Sequence, residues 1–136
     1  RLEILLVLGA AVLSDTAAFY AGSLFGKKKI WPRISPKKSW AGSLGGMTVC
    51  TAGTMAWGLF LGLPEVAWWK WMLLGMALNV AAQMGDFFES ALKRSLDIKD
   101  SGTILPGHGG LLDRVDSLLL VIPCYGMLSM FQAFFL

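Results

Sequence analysis

The chain has 136 residues, of which 55% are hydrophobic and 15% charged, with a formal charge of +3 and a mean hydropathy of +0.60. A soluble domain carries about 25% charged residues and no long apolar runs, so this composition excludes an ordinary water-soluble globule, and its hydrophobicity excludes disorder. Two cysteines and one histidine exclude a disulfide scaffold and a zinc site built from several Cys or His ligands.

Crossing a bilayer core takes about 20 mostly apolar helical residues, and four segments meet that length. The first runs from Leu2 to Phe25 and is broken by Ser14-Asp15-Thr16. A basic stretch follows, with Lys27, Lys28, Lys29, Arg33, Lys37 and Lys38. The second segment, Trp40 to Leu63, has no charge; its Gly42/Gly46 and Gly58/Gly62 pairs predict close helix packing. The third begins in Trp68-Trp69-Lys70-Trp71 and reaches Arg94, its tryptophans suited to a membrane interface, as is Trp31. After a glycine-rich loop, the fourth runs from Leu111 to Leu136. Cys50 and Cys124 read as apolar filler. No segment resembles a cleaved signal peptide. Because the chain opens at Arg1 and turns apolar at once, further residues are expected to precede it.

The expected architecture is therefore an all-α integral membrane protein with four transmembrane helices and two basic loops. Ten of the twelve Lys and Arg residues fall on one side of such a bundle, leaving Arg1 and Lys70 on the other. The positive-inside rule makes the basic side cytoplasmic. Anionic membrane lipids are expected to be attracted to it. Nucleic acid is not an expected partner, since the loops lack the interleaved aromatics of a base-stacking surface.

Glu3 and Glu65 lie near the outer ends of segments. Five others, Asp15, Asp86, Glu89, Asp113 and Asp116, fall where charge is costly. An aspartate at mid-membrane costs about 2.5–3.5 kcal/mol on insertion scales, so it faces a partner or a wet cavity. Asp15 interrupts the first segment, while Asp86, Glu89, Ser90 and Lys93 share one helix face, and Asp113 and Asp116 share the next. Carboxylates gathered in this way suit Mg²⁺, which takes oxygen ligands and bridges to phosphates. Salt bridges such as Asp86–Lys93 or Asp113–Arg114 are the bland alternative. The glycine-rich loop 99–110 holds His108 and reads either as an anion cradle or as a tight turn. Ser35, Lys37, Lys38 and Ser39 read either as a polyphosphate site at a helix N-terminus or as a topology signal. A Ser101/His108/Asp113 triad lacks any nucleophile elbow.

The run from Ser90-Ala91-Leu92-Lys93-Arg94 through Lys99-Asp100-Ser101-Gly102 and Leu105-Pro106-Gly107-His108-Gly109-Gly110 to Asp113-Arg114-Val115-Asp116 resembles the signature of the phosphatidate cytidylyltransferase (CDP-diacylglycerol synthase) family. Ser14 to Gly22 and Ser35 to Gly42 resemble further blocks of that family. Ser39 stands where members often carry Thr, and Ala41 where they often carry Glu or Gln. Members are longer on the N-terminal side, so residues 1–136 correspond to a single membrane-embedded catalytic domain lacking the N-terminal helices.

The resemblance implies transfer of a cytidylyl group from CTP to phosphatidate with Mg²⁺, a second cation being an option, and release of pyrophosphate. It implies metal binding by Asp86, Asp113 and Asp116, with Lys93, Lys99 and Arg114 completing the catalytic set. Asp15, Ser35, Lys37, Lys38, Ser39, Arg94 and His108 are the expected substrate-binding residues. The expected location is the bacterial cytoplasmic (inner) membrane, with the site facing the cytoplasm. A homodimer is compatible with the family and with the Gly-spaced faces. A CTP-dependent polyisoprenol or phytol kinase and a non-enzymatic helix bundle are the rival readings.

Overall fold

The computed structural model describes residues 2–61, 65–97 and 118–130. Its elements, in chain order, are α1 (Leu2–Phe25), β1 (Lys29–Trp31), β2 (Ser35–Ser39), α2 (Trp40–Leu61), α3 (Trp68–Ser95) and α4 (Leu118–Met130). The three long helices begin and end within two residues of the expected segments. Two of them, α1 and α2, contain spans of 22 residues, Ile4–Phe25 and Trp40–Leu61, long and apolar enough to cross a membrane, with mean hydropathies of 1.8 and 1.3 in their 18-residue windows.

Helix α1 runs unbroken through Ser14-Asp15-Thr16, with Ser14 buried and hydrogen-bonded to Asn79. One detail departs from the sequence reading: the basic stretch is more than a loop. It folds into an antiparallel hairpin in which Lys29 pairs with Ser39 and Trp31 with Ser35, across a bulge. A bond from the Trp40 N–H to the Lys28 carbonyl (3.1 Å) ties the hairpin to the start of α2.

Helix α2 packs against α1 and α3, and α4 lies on α3. Small residues permit this. A Cβ on Gly42 would lie 2.7 Å from the Ala18 carbonyl oxygen, and one on Gly46 would lie 2.9 Å from that of Ser14. The first G-x-x-x-G pair thus brings the α1 and α2 backbones together, as its spacing predicts. On the other face of α2, Gly75 of α3 meets Thr54, and the Trp71 ring lies over Gly58. Trp71 is therefore a packing residue, whereas Trp68 and Trp69 are exposed as an interface requires. Lys70 lies 5.8 Å from the Trp69 ring centroid.

The apolar core is small: Val7, Ala10, Cys50, Leu78, Ala81, Ala82 and Val121. Buried with it are Ser14, Ser39, Thr54, Asn79 and Glu89, while the large apolar side chains point outward, Phe60 at 85% exposure and Phe25 at 72%. In water a contiguous surface of this kind would drive aggregation. Lipid is the solvent it fits, because lipid-embedded helices associate through small residues and polar contacts.

The Gly46 contact yields a prediction. Gly46→Leu should push α1 from α2 and cost about 1–3 kcal/mol of stability, the usual penalty of overpacking. The measurement is a lowered thermal midpoint of the detergent-solubilised protein; an unchanged midpoint would show that the two helices are not held at this point.

Candidate active site

A cleft of about 170 Å³ opens where α1, the hairpin, the start of α2 and the middle of α3 meet. Helix α1 contributes Asp15, Ala18 and Phe19; β2 contributes Lys37, Lys38 and Ser39; α2 contributes Gly42 and Ser43; α3 contributes Gln83 and Asp86. Stretches separated by up to seventy residues of sequence are thus brought to one place.

Local rules explain how each side chain arrives there. Ser39 is the N-cap of α2, its hydroxyl oxygen accepting from the Gly42 N–H at 3.2 Å. The cap starts the helix at Trp40 and sets its positive dipole end beside the cleft, which Ser39, Gly42 and Ser43 line. The side chains of Lys37 and Lys38 diverge, as alternation along a strand requires. Lys37 is exposed, and Lys38 is half-buried. Lys38 forms an ion pair with Asp86, both side chains about one-fifth exposed, and its ammonium lies 5.7 Å from the Phe87 ring centroid.

The pairing differs from the salt bridge considered on sequence grounds. Asp86 reaches Lys38 of the hairpin, and Lys93 reaches Glu89 at 3.1 Å, one turn back on its own helix. Glu89 is 2% exposed. Burying that carboxylate in an apolar bundle demands compensation, and Lys93 at i+4 supplies it.

Of the expected site residues, Asp15, Lys37, Lys38, Ser39 and Asp86 come together at the cleft. Lys93 lies two turns further along the Asp86 face of α3, Arg94 is exposed on the last turn, and Ser35 sits at the far end of β2 opposite Trp31. Lys99, His108, Asp113, Arg114 and Asp116 lie outside the described residues.

Sequence reasoning overlooked Ser43, Gln83, Asn79 and Ser14. The Ser43 hydroxyl donates to Gln83 Oε1, and Gln83 Nε2 donates to the Ser43 carbonyl at 3.0 Å and to Asn79 Oδ1 at 3.3 Å. The Ser14 hydroxyl donates to the same Asn79 oxygen at 2.7 Å. A signal was available. Asn79, Gln83 and Asp86 stand at i, i+4 and i+7 within an apolar segment, so the polar face of α3 begins two turns before its first acid.

As to metal, Asp15 and Asp86 bring two carboxylates to one cleft. Mg²⁺ is commonly held by one or two carboxylates together with substrate phosphates, so the donor set fits a cation that arrives with a polyphosphate.

The chain matches the cytidylyltransferase family over residues 2–132. It is 44% identical over 120 residues to the phosphatidate cytidylyltransferase of Bacillus subtilis (strain 168), a match covering 88% of this chain and 44% of that protein. It is 41% identical over 116 residues to the enzyme of the same name from Staphylococcus saprophyticus, covering 85% of this chain and 44% of the relative. The chain thus spans less than half the length of these relatives. A solved structure described as an intramembrane enzyme for archaeal membrane lipids biosynthesis shares the fold, with a TM-score of 0.72 and 22% identity over 93% of this chain and 78% of that one. With the match running over residues 2–132, the chain belongs to the cytidylyltransferase family.

Proposed function

We propose that the chain carries the nucleotide-binding part of a phosphatidate cytidylyltransferase, which joins CTP and phosphatidate to give CDP-diacylglycerol and pyrophosphate. The observation that carries this reading is the cleft itself: two carboxylates, two lysines and a helix N-terminus at the edge of an apolar bundle. A phosphate monoester oxygen of the lipid attacks the α-phosphorus of CTP. That bond forms as the bond from the α-phosphorus to the bridging oxygen breaks, and the electron pair leaves with pyrophosphate. The second pKa of a phosphate monoester is about 6, so the nucleophile is already ionised at neutral pH and needs no general base.

What remains for the protein is to align two anions and neutralise charge. Before nucleotide arrives, Lys38 and Asp86 neutralise each other. A triphosphate entering the cleft would draw Lys38 to itself and turn the Asp86 carboxylate toward a cation held in the same cleft that Asp15 lines. Mg²⁺, when bound, would polarise the phosphates and stabilise the leaving pyrophosphate. Lys37, exposed at the cleft mouth, and the N–H groups at the start of α2 add positive potential. Asp113 and Asp116 are proposed as further metal ligands, and Lys93, Lys99, Arg94, Arg114 and His108 as groups that hold phosphate.

All four helices are proposed to cross the membrane, with the hairpin and the connection between α3 and α4 on the cytoplasmic face. The acyl chains of the lipid then stay among the helices while its phosphate reaches the cleft sideways.

Four outcomes test this reading. CTP labelled at the α-phosphate should deliver its label to an organic-phase nucleotide-lipid; label remaining in CDP would instead identify a lipid kinase. Lys38→Met should raise the KM for CTP about tenfold or more, the scale of one charge-assisted hydrogen bond, and Asp86→Asn should nearly abolish product formation with membrane insertion intact. Near-normal turnover of Asp86→Asn at saturating Mg²⁺ would remove that residue from the site. Finally, Lys29→Cys should react with a membrane-impermeant maleimide in inside-out vesicles and not in intact cells, and the reverse pattern would invert the topology.

A further inference from the structure

Beneath the cleft, Ser14, Ser43, Asn79 and Gln83 form one hydrogen-bonded network joining α1, α2 and α3. We infer that Gln83 is a positioning residue, which sets the separation between the Asp86 turn of α3 and the N-terminus of α2 and so fixes the width of the nucleotide cleft. This inference rests on the proposed CTP site.

The argument starts from donors and acceptors. The Ser43 carbonyl can only accept, so the NH₂ end of Gln83 must face it. The second hydrogen of that NH₂ points at Asn79, which must therefore present Oδ1. The same oxygen accepts from Ser14. One backbone carbonyl thus determines the orientation of both amides. Gln83 also accepts from the Ser43 hydroxyl, so it holds Ser43 at two points, main chain and side chain. A two-point contact of this kind restrains rotation of α2 about its axis as well as its distance from α3.

Three of the four members of the network stand next to a group of the cleft. Ser14 precedes Asp15, Ser43 lies one turn after the capping Ser39, and Gln83 lies one turn before Asp86 on the same face. Ser43 and Gln83 line the cleft themselves. Simple adhesion between helices does not require this arrangement. Asn79 is 0% exposed, and its Nδ2 has no acceptor among the described residues. An open buried donor lowers stability, so the amide serves orientation at some cost in cohesion.

The test uses the full-length protein in vesicles of phosphatidylcholine and phosphatidate, with three readouts: CTP binding by calorimetry, the KM and kcat for CTP, and the thermal midpoint. Gln83→Leu should weaken CTP binding and raise the KM by about tenfold to a hundredfold, the cost of misplacing binding groups by an ångström, with a smaller change in kcat. Ser43→Ala keeps the carbonyl contact and should have a weaker effect. Because its hydroxyl acts through Gln83, the double variant should be no worse than Gln83→Leu alone. Gln83→Glu keeps the hydroxyl contact and loses the donors, so it should not restore binding. CTP binding by folded Gln83→Leu within about twofold of wild type, or effects of the two single variants that multiply, would overturn the inference. Should Gln83→Leu fail to fold, Ser43→Ala decides by the same split between KM and thermal midpoint. Wild-type protein that binds CTP without forming nucleotide-lipid would overturn the proposed function, and the binding comparison among variants would still decide the role of Gln83.

Discussion

Helices immersed in lipid gain nothing from hiding their apolar faces, since the surroundings are as apolar as the faces themselves. The close contact of α1 with α2 therefore has to come from backbone approach, and Gly42 and Gly46 provide it. With no side chain between them, the Ala18 and Ser14 carbonyls come within 2.7 and 2.9 Å of where a Cβ on either glycine would lie. The polar groups of the cleft follow from that contact. It brings Ser14 within reach of Asn79, sets Asp15 beside the start of α2, and leaves room under the hairpin for Ser39 to cap the helix. A larger residue at either glycine would separate the groups that make up the cleft.

The long helices and the close packing at Gly42 and Gly46 were readable from the sequence, because an apolar run of that length in a poorly charged chain has few alternatives. The family blocks were readable too, and two of them, around Asp15 and Lys37-Lys38-Ser39, meet at the cleft with Asp86, which stands just before the third. Partnerships were less legible. Charge spacing on α3 suggested Asp86 with Lys93, but a side chain chooses among all neighbours in space, and the hairpin places Lys38 closer. The hairpin itself was hidden because Lys29–Trp31 and Ser35–Ser39 are short and carry charge and proline, which gives no clear alternation.

Uncharged polar residues were the larger omission. Serine, asparagine and glutamine are unremarked in a water-soluble chain, where solvent satisfies them. In an apolar bundle each needs a partner, so Asn79 and Gln83 carry nearly as much information as the acids do. Reading α3 for every polar side chain, charged or not, extends its functional face from Asn79 through Gln83 and Asp86 to Lys93, a stripe recurring at three- and four-residue intervals. The lone buried carboxylate on that stretch, Glu89, carries its own compensating Lys93.

The two ion pairs on this helix differ in a way that bears on chemistry. Glu89 and Lys93 lie on one helix, four residues apart, and the carboxylate is sealed from solvent; separating them would strand a buried charge, a severe penalty in a medium of low dielectric. Lys38 and Asp86 come from different elements, at a cleft mouth where both keep partial access to water. That pair can open at modest cost whenever another anion takes the lysine and another cation takes the aspartate. On the proposed function, a nucleoside triphosphate with its divalent ion would offer both at once, so binding would exchange one neutral pair for two. The exchangeable pair stands at the cleft and the sealed pair away from it, which is the arrangement that reading requires.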